Sequence, residues 1–180
     1  MTLAARMDEE VAFPKGVKVS ASDGEVTVQG PQGTLTRAFR HPRVTVEVRG
    51  DSVHLSTERP SKREKAMMGT FAAHLRNMAR GVTQGFEYRM KIVYSHFPMR
   101  ASVKEDRVVI ENFLGERYPR FASIVGKTGV AVKGDIIVLT GADREDVGQT
   151  AANIERATKI KGYDPRIFQD GIYITSKGEG

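Results

Sequence analysis

The sequence predicts an α+β fold made twice, a tandem duplication of an antiparallel sheet packed with one helix per domain. Three observations carry this. "VRGDSVHLST" (48–57) and "VKGDIIVLT" (132–140) repeat one pattern, an alternating run into a basic-Gly-Asp turn and a second run out of it, with Gly50 and Gly134 lying 84 positions apart. Each pattern is followed by a stretch with apolar residues at helical spacing, and each is preceded by short runs that alternate with period two. A lone helix buries its apolar stripe only against a sheet, so each copy is one packed unit. The expected domains are residues 1–83 and 84–180.

The repeated turn settles how Arg49-Gly50-Asp51 is read. Glycine at a central position adopts the positive φ that a two-residue hairpin needs, so the tripeptide is a hairpin turn and not an adhesion signal. "VKVSA", "EVTVQ" and "TLTRAF" are the upstream strands of the first copy, and "ASVKE", "RVVIENF" and "RYPRFAS" those of the second. Asp23-Gly24 and Glu105-Asp106 turn at matching places. "FEYRMKIVYS" (86–95) also alternates and joins the halves as a strand.

In the first copy Ser61 and Glu64 form a capping box after Pro60. Met68, Phe71, Leu75 and Met78 are the buried stripe, and Gly81 is the expected stop. In the second, Asp143 is the N-cap, with Glu145 and Asp146 favourable in the first turn. Val147, Ala151, Ile154 and Ala157 face the core, and Gly162 is the expected end.

Composition narrows the chemistry. The chain has 180 residues, a net charge of +6 and no cysteine, which removes disulfides, thiolate metal sites and cysteine nucleophiles. The opening "MTLAARMDEEVAF" has acids where a signal peptide needs an apolar run, and no apolar stretch is long enough to span a bilayer, so a cytoplasmic protein with no membrane partner is expected. His41, His54, His74 and His96 are scattered without metal-ligand spacing. "VGKTG" (125–129) ends like a phosphate-binding loop, but Phe121 stands where that loop needs glycine and a strand follows instead of a helix. No catalytic residue, cofactor or small-molecule substrate is indicated.

A positive chain favours polyanions. Residues 1–95 carry a net +5 and residues 96–180 a net +1, so local clusters matter more than halves. "NFLGERYPRF" places Arg117 and Arg120 beside Tyr118, and "RATKIKGYDPRIF" places Arg156, Lys159, Lys161 and Arg166 beside Tyr163 and Phe168. Cations neutralise phosphates, and aromatic planes stack on exposed bases. Lys127 and Lys177 complete the candidate RNA-binding set. Arg59, Lys62, Arg63 and Lys65 stand at a helix start, where cations oppose the dipole, and this hints at a use for the charge.

"NFLGE" (112–116) with Arg120, the C-terminal run "DPRIFQDGIY" (164–173) and the opening "FPKGV" (13–17) resemble the family of the sixth protein of the large ribosomal subunit, in its archaeal and eukaryotic branch. The resemblance spans nearly the whole chain. It implies two similar α+β domains and no enzymatic activity. It also implies binding to large-subunit ribosomal RNA, mainly through the second domain. The expected place is near the stalk base where translation factors dock, beside neighbouring ribosomal proteins. Apart from the resemblance, two other readings are open: a protein-binding module that uses exposed strand edges, and an enzyme with a nucleotide site around Lys127.

Overall fold

The computed structural model describes residues 6–95 and 97–179; His96 lies outside the described residues. Two compact units divide between Gln84 and Gly85. The first holds β1 (Arg6–Ala12), β2 (Lys18–Ser22), β3 (Glu25–Gly30), β4 (Gly33–Ala38), β5 (Thr45–Arg49), β6 (Ser52–Glu58) and α1 (Lys62–Thr83). The second holds β7 (Phe86–Val93), β8 (Arg100–Lys104), β9 (Arg107–Glu111), a 3-10 turn (Phe113–Gly115), β10 (Arg120–Ser123), β11 (Gly129–Lys133), β12 (Ile136–Gly141), α2 (Arg144–Ala157) and β13 (Gly171–Glu179).

The α+β duplication stands, with one refinement: each unit has two small antiparallel sheets. In the first unit these are β2-β3-β4 and β1-β6-β5; in the second they are β10-β9-β8 and β11-β12-β7-β13. The break between sheets in unit 1 falls at "FRHPRV" (39–44), where Pro42 has no N–H to continue a ladder. There Phe39 and Val44 turn inward and join the core instead.

Alternation along the strands builds each core. Val53, Leu55 and Thr57 of β6 point inward, as do Val26 and Val28 of β3. In the second unit Phe86, Tyr88, Met90 and Ile92 of β7 and Ile137 and Leu139 of β12 do the same. α1 lays Met68, Phe71, Leu75 and Met78 on the first core, and Phe71 meets Phe39 edge-on with ring centroids 5.2 Å apart. α2 lays Val147, Ala151 and Ile154 on the second, with Ala157 half-buried.

The hairpin reading of the repeat holds. Arg49 pairs with Ser52 and Lys133 with Ile136, leaving two-residue turns, and Gly50 and Gly134 share a φ of 59°. The capping box at Ser61 and Glu64 is also present, and Asp143 accepts from the Glu145 N–H at 2.8 Å.

Both helix stops differ from expectation. α1 runs through Gly81, which is buried inside it, and ends at Thr83, with Gly85 taking the left-handed φ that terminates it. α2 ends at Ala157, before Gly162, because the Thr158 hydroxyl competes for the Ile154 and Glu155 carbonyls and also accepts the Ile172 N–H at 3.0 Å. Two strands were not anticipated, β1 and β13. β7 pairs on both sides within the second unit, with β12 and with β13, so it is a central strand of that sheet and not a connector between halves.

Candidate nucleic-acid interface

The C-terminal end of α2 is where the predicted residues gather. An α-helix leaves its last carbonyls without intrahelical partners. Here Arg120, reaching from β10, supplies them: its Nη1 donates to the carbonyls of Ala157 at 2.8 Å and Lys159 at 3.3 Å. The same guanidinium grips Glu116 with two charge-assisted bonds, Nε to Oε2 at 2.8 Å and Nη2 to Oε1 at 2.6 Å. It also lies 4.2 Å above the centre of the buried Phe113 ring. The Arg120 bonds hold the Glu116 carboxyl below the usual carboxylate range.

Arg120 therefore does not offer a free charge to a ligand. It ties the 112–120 loop to the end of α2, and so places Arg117 and Tyr118 beside that end. Backbone geometry makes the loop what it is: Asn112, Leu114 and Gly115 all have positive φ, and Asn112 Nδ2 donates to the Pro98 carbonyl at 3.1 Å. A side chain at Gly115 would press on the Phe97 ring.

After Thr158 the chain folds into a second ordered turn. Asp164 Oδ1 accepts from the Arg166 N–H at 2.9 Å, and its carbonyl accepts from Ile167 and Phe168. Pro165 fits this bend because its φ is already set. Tyr163 leans on Phe168 with ring centroids 4.9 Å apart. Tyr173, at the start of β13, donates its hydroxyl to the Gln169 carbonyl at 3.2 Å. Between this turn and the end of α2 lies a pocket of about 520 Å³, bounded by Arg156, Lys159, Ile160, Pro165, Phe168 and Tyr173.

The predicted cations divide by place. Arg156 and Lys159 line the pocket; Lys161, Tyr163 and Arg166 belong to the turn that forms its other wall; Arg117 and Tyr118 adjoin through the Arg120 clamp. Tyr118 is 85% exposed, an unusual state for an aromatic ring. Lys127 is elsewhere. Its loop lies against the first turns of α2, where Val125 N–H donates to Thr150 Oγ1, about 10 Å by helix rise from Ala157. Lys177 lies on β13 opposite Tyr88, beyond a bulge. Arg117, Lys127, Arg156, Lys159, Lys161, Arg166 and Lys177 are exposed, and their side chains form no ion pair or hydrogen bond with other described residues.

The loop around Lys127 passes into strand β11, so the chain does not run from it directly into a helix as a phosphate-binding loop does. Among the described residues no group of His, Asp and Glu is arranged to hold a metal ion, and no helix is long and apolar enough to cross a membrane. Sequence reasoning missed the clamp role of Arg120, and it reached Tyr173 only as part of the C-terminal signature run and not as a wall of the pocket. The Glu116-to-Arg120 spacing was the available signal for the first.

The family model for ribosomal protein L6 matches residues 13–85 and again 97–171, one match to each unit. The chain is 55% identical over 177 residues to the large ribosomal subunit protein uL6 of Methanobrevibacter smithii, covering 98% of this chain and 99% of that one. It is 54% identical over 167 residues to the uL6 of Methanosarcina mazei, covering 93% and 95%. To the uL6 of Methanococcus vannielii it is 44% identical over 177 residues, covering 98% and 97%. With a matched model over both repeats and such identity over almost the whole length, the chain belongs to the ribosomal protein L6 family.

Proposed function

We propose that this chain, a structural and non-enzymatic constituent of the large subunit of the cytoplasmic ribosome, binds large-subunit ribosomal RNA through its second unit, at a position near the stalk base where translation factors dock. Its other partners there are neighbouring ribosomal proteins. The observation that carries the RNA reading is the set of unpaired cations around the end of α2, Arg117, Arg156, Lys159, Lys161 and Arg166, brought together by the Arg120 clamp and the Asp164 turn.

Such cations position a protein on RNA without reading sequence, because phosphates are alike. Selectivity then comes from the shape of the folded RNA and from aromatic contact with unstacked bases, for which Tyr118 and Tyr163 stand exposed. Arg120 acts as a positioning residue and not as a contact. The stalk-base location rests on family membership alone.

A salt titration of the full chain on large-subunit ribosomal RNA tests the reading. Contact with about 5 phosphates gives a log–log slope of roughly −3.5 to −4.5, and Lys159→Ala or Arg166→Ala makes it shallower by about 0.7–0.9. Both variants should fold normally, since both side chains are exposed. A flat salt response would sink the RNA reading and favour a module that binds protein only.

A further inference from the structure

We propose that the pocket between the end of α2 and the Asp164 turn is the receptor for one unstacked nucleotide of the bound RNA. This rests on the RNA reading above and adds to it a specific site. The pocket's 520 Å³ lies within the range of about 300–1,000 Å³ typical of small-molecule sites, which suits a base with its ribose. Its chemistry is divided in the way a nucleotide is. Phe168, Tyr173, Ile160 and Pro165 give apolar and aromatic wall for a base, and Arg156 and Lys159 give unpaired charge for its phosphates.

Two features keep that charge available. The carbonyls at the end of α2 and just beyond it that would otherwise attract nearby cations are already occupied by Arg120 and Thr158. The Tyr173 hydroxyl is engaged by the Gln169 carbonyl, which holds the ring in place, and Gln169, whose side chain makes no hydrogen bond with another described residue, lines the pocket. The occupant is identified by charge complementarity: an apolar protein side chain would leave two cations at the rim unpartnered, whereas a nucleotide meets both. Glu155 is the one acid in the lining. A carboxylate accepts from the exocyclic amino group of adenine, cytosine or guanine, whereas uracil offers only one N3–H flanked by two carbonyls that it repels, so the pocket favours the amino-bearing bases over uracil.

The test uses the full chain and transcribed large-subunit ribosomal RNA, with filter binding over a range of salt and per-nucleotide chemical probing of the complex. Ala152→Phe fills the pocket from the α2 surface without removing a charge. It should weaken binding roughly 5- to 150-fold, the span one base stacked on an aromatic side chain supports, with the salt slope unchanged. It should also abolish a reactivity change confined to one amino-bearing nucleotide. Gln169→Ala, whose backbone carbonyl is kept, should weaken binding about 2- to 10-fold and guards against misfolding of the first variant. If the unmutated chain binds no RNA, the RNA reading falls and takes this one with it. If it binds and both variants match it, the nucleotide receptor is refuted and the RNA reading stands. RNA affinity kept by Ala152→Phe, while in assembled large subunits the same variant loses a crosslink to a neighbouring ribosomal protein, would assign the pocket to a protein side chain instead.

Discussion

The first unit carries its helix for 22 residues and the second for 14, and most of that difference falls at the C-terminal end. What the two ends do with the chain separates their roles. α1 continues into the core with Met78, Ala79 and Val82, and its end packs so closely on the β3–β4 turn that a side chain at Gly30 would run into the Val82 carbonyl. α2 stops early, and the chain instead makes the Asp164 turn and adds β13 to the edge of β7, an edge that β1 leaves without a neighbour in its own three-stranded sheet. The surface follows the backbone. Arg6, Arg40, Arg43, Arg49 and Arg76 of the first unit each face a carboxylate. In the second, Arg89 and Arg120 do so too, while Arg117, Arg156 and Arg166, like Arg59 and Arg63 of the first, have none; what separates the surfaces is that every exposed large hydrophobic among the described residues belongs to the second unit. The two copies share one scaffold, and the copy whose helix ends sooner is the one that carries the exposed aromatics.

The sharpest way to break this comparison is to truncate one aromatic in each unit. Phe71→Ala removes a buried ring from the first core, together with its edge-on contact with Phe39, and should cost about 3–5 kcal/mol by denaturant unfolding. Phe121→Ala removes a ring that is 56% exposed in the second unit and should stay within about 0.5 kcal/mol. Equal costs would mean that the second unit's aromatics are core residues and that its outward character is misread.

Arg120 tests how the second unit keeps its outward face ordered. Arg120→Ala removes the Glu116 pair, the two carbonyl bonds and the Phe113 contact together, and a loss of about 2–3 kcal/mol is expected, the worth of a partly buried charged hydrogen-bonding group. Lys does not restore it, because one ammonium cannot reproduce a planar fork that serves a carboxylate and two carbonyls at once. Arg120→Lys with unchanged thermal stability would show that the clamp is only a surface ion pair.

The comparison also shows where sequence reading succeeds. Both hairpins, the capping box and the two helical stripes were legible because each is local: a Gly in a turn, an acid three residues after a Ser, an apolar residue every third or fourth position. β1 was hidden because "RMDEEVA" has charges on most of its positions, with Val11 its one fully buried residue. β13 was hidden by its Gly, Ser and Lys content and by the bulge between Ile174 and Ser176. Gly81 misled because a glycine inside a helix and one that ends it look alike until tertiary packing chooses. Arg156, Lys159 and Arg166 were legible as a cluster, whereas Arg120 was legible only as a charge. Its clamp depends on contacts 37 and 39 residues away, which no local pattern encodes.

The smallest expected effect concerns the first turns of the two helices, where the same kind of residue is pushed in opposite directions. Glu64 of α1 is held below the usual carboxylate range, chiefly by the Ser61 hydroxyl of the capping box, with help from Arg43. Asp146 of α2 is raised above the usual range, first by burial and then by the neighbouring charges of Asp143 and Glu145. Burial there follows from the Gly126 loop, which fits only because glycine has no side chain: a Cβ on Gly126 would collide with Asp146 Oδ2. The signs follow from proton linkage. A lowered folded value means that Glu64 stabilises the fold above the ordinary Glu range and loses this as pH falls through the folded value. A raised folded value means that Asp146 binds its proton more tightly when folded, so stability declines as pH rises from the ordinary Asp value through the folded one. Neutral replacements should therefore diverge. Between about pH 3 and pH 7 the melting temperature of Asp146→Asn relative to the unmutated chain should climb, while that of Glu64→Gln should drop. Parallel trends in the two variants would mean that the second copy's first turn keeps the electrostatics of the first, and that the divergence between the repeats is confined to the other end of the helix.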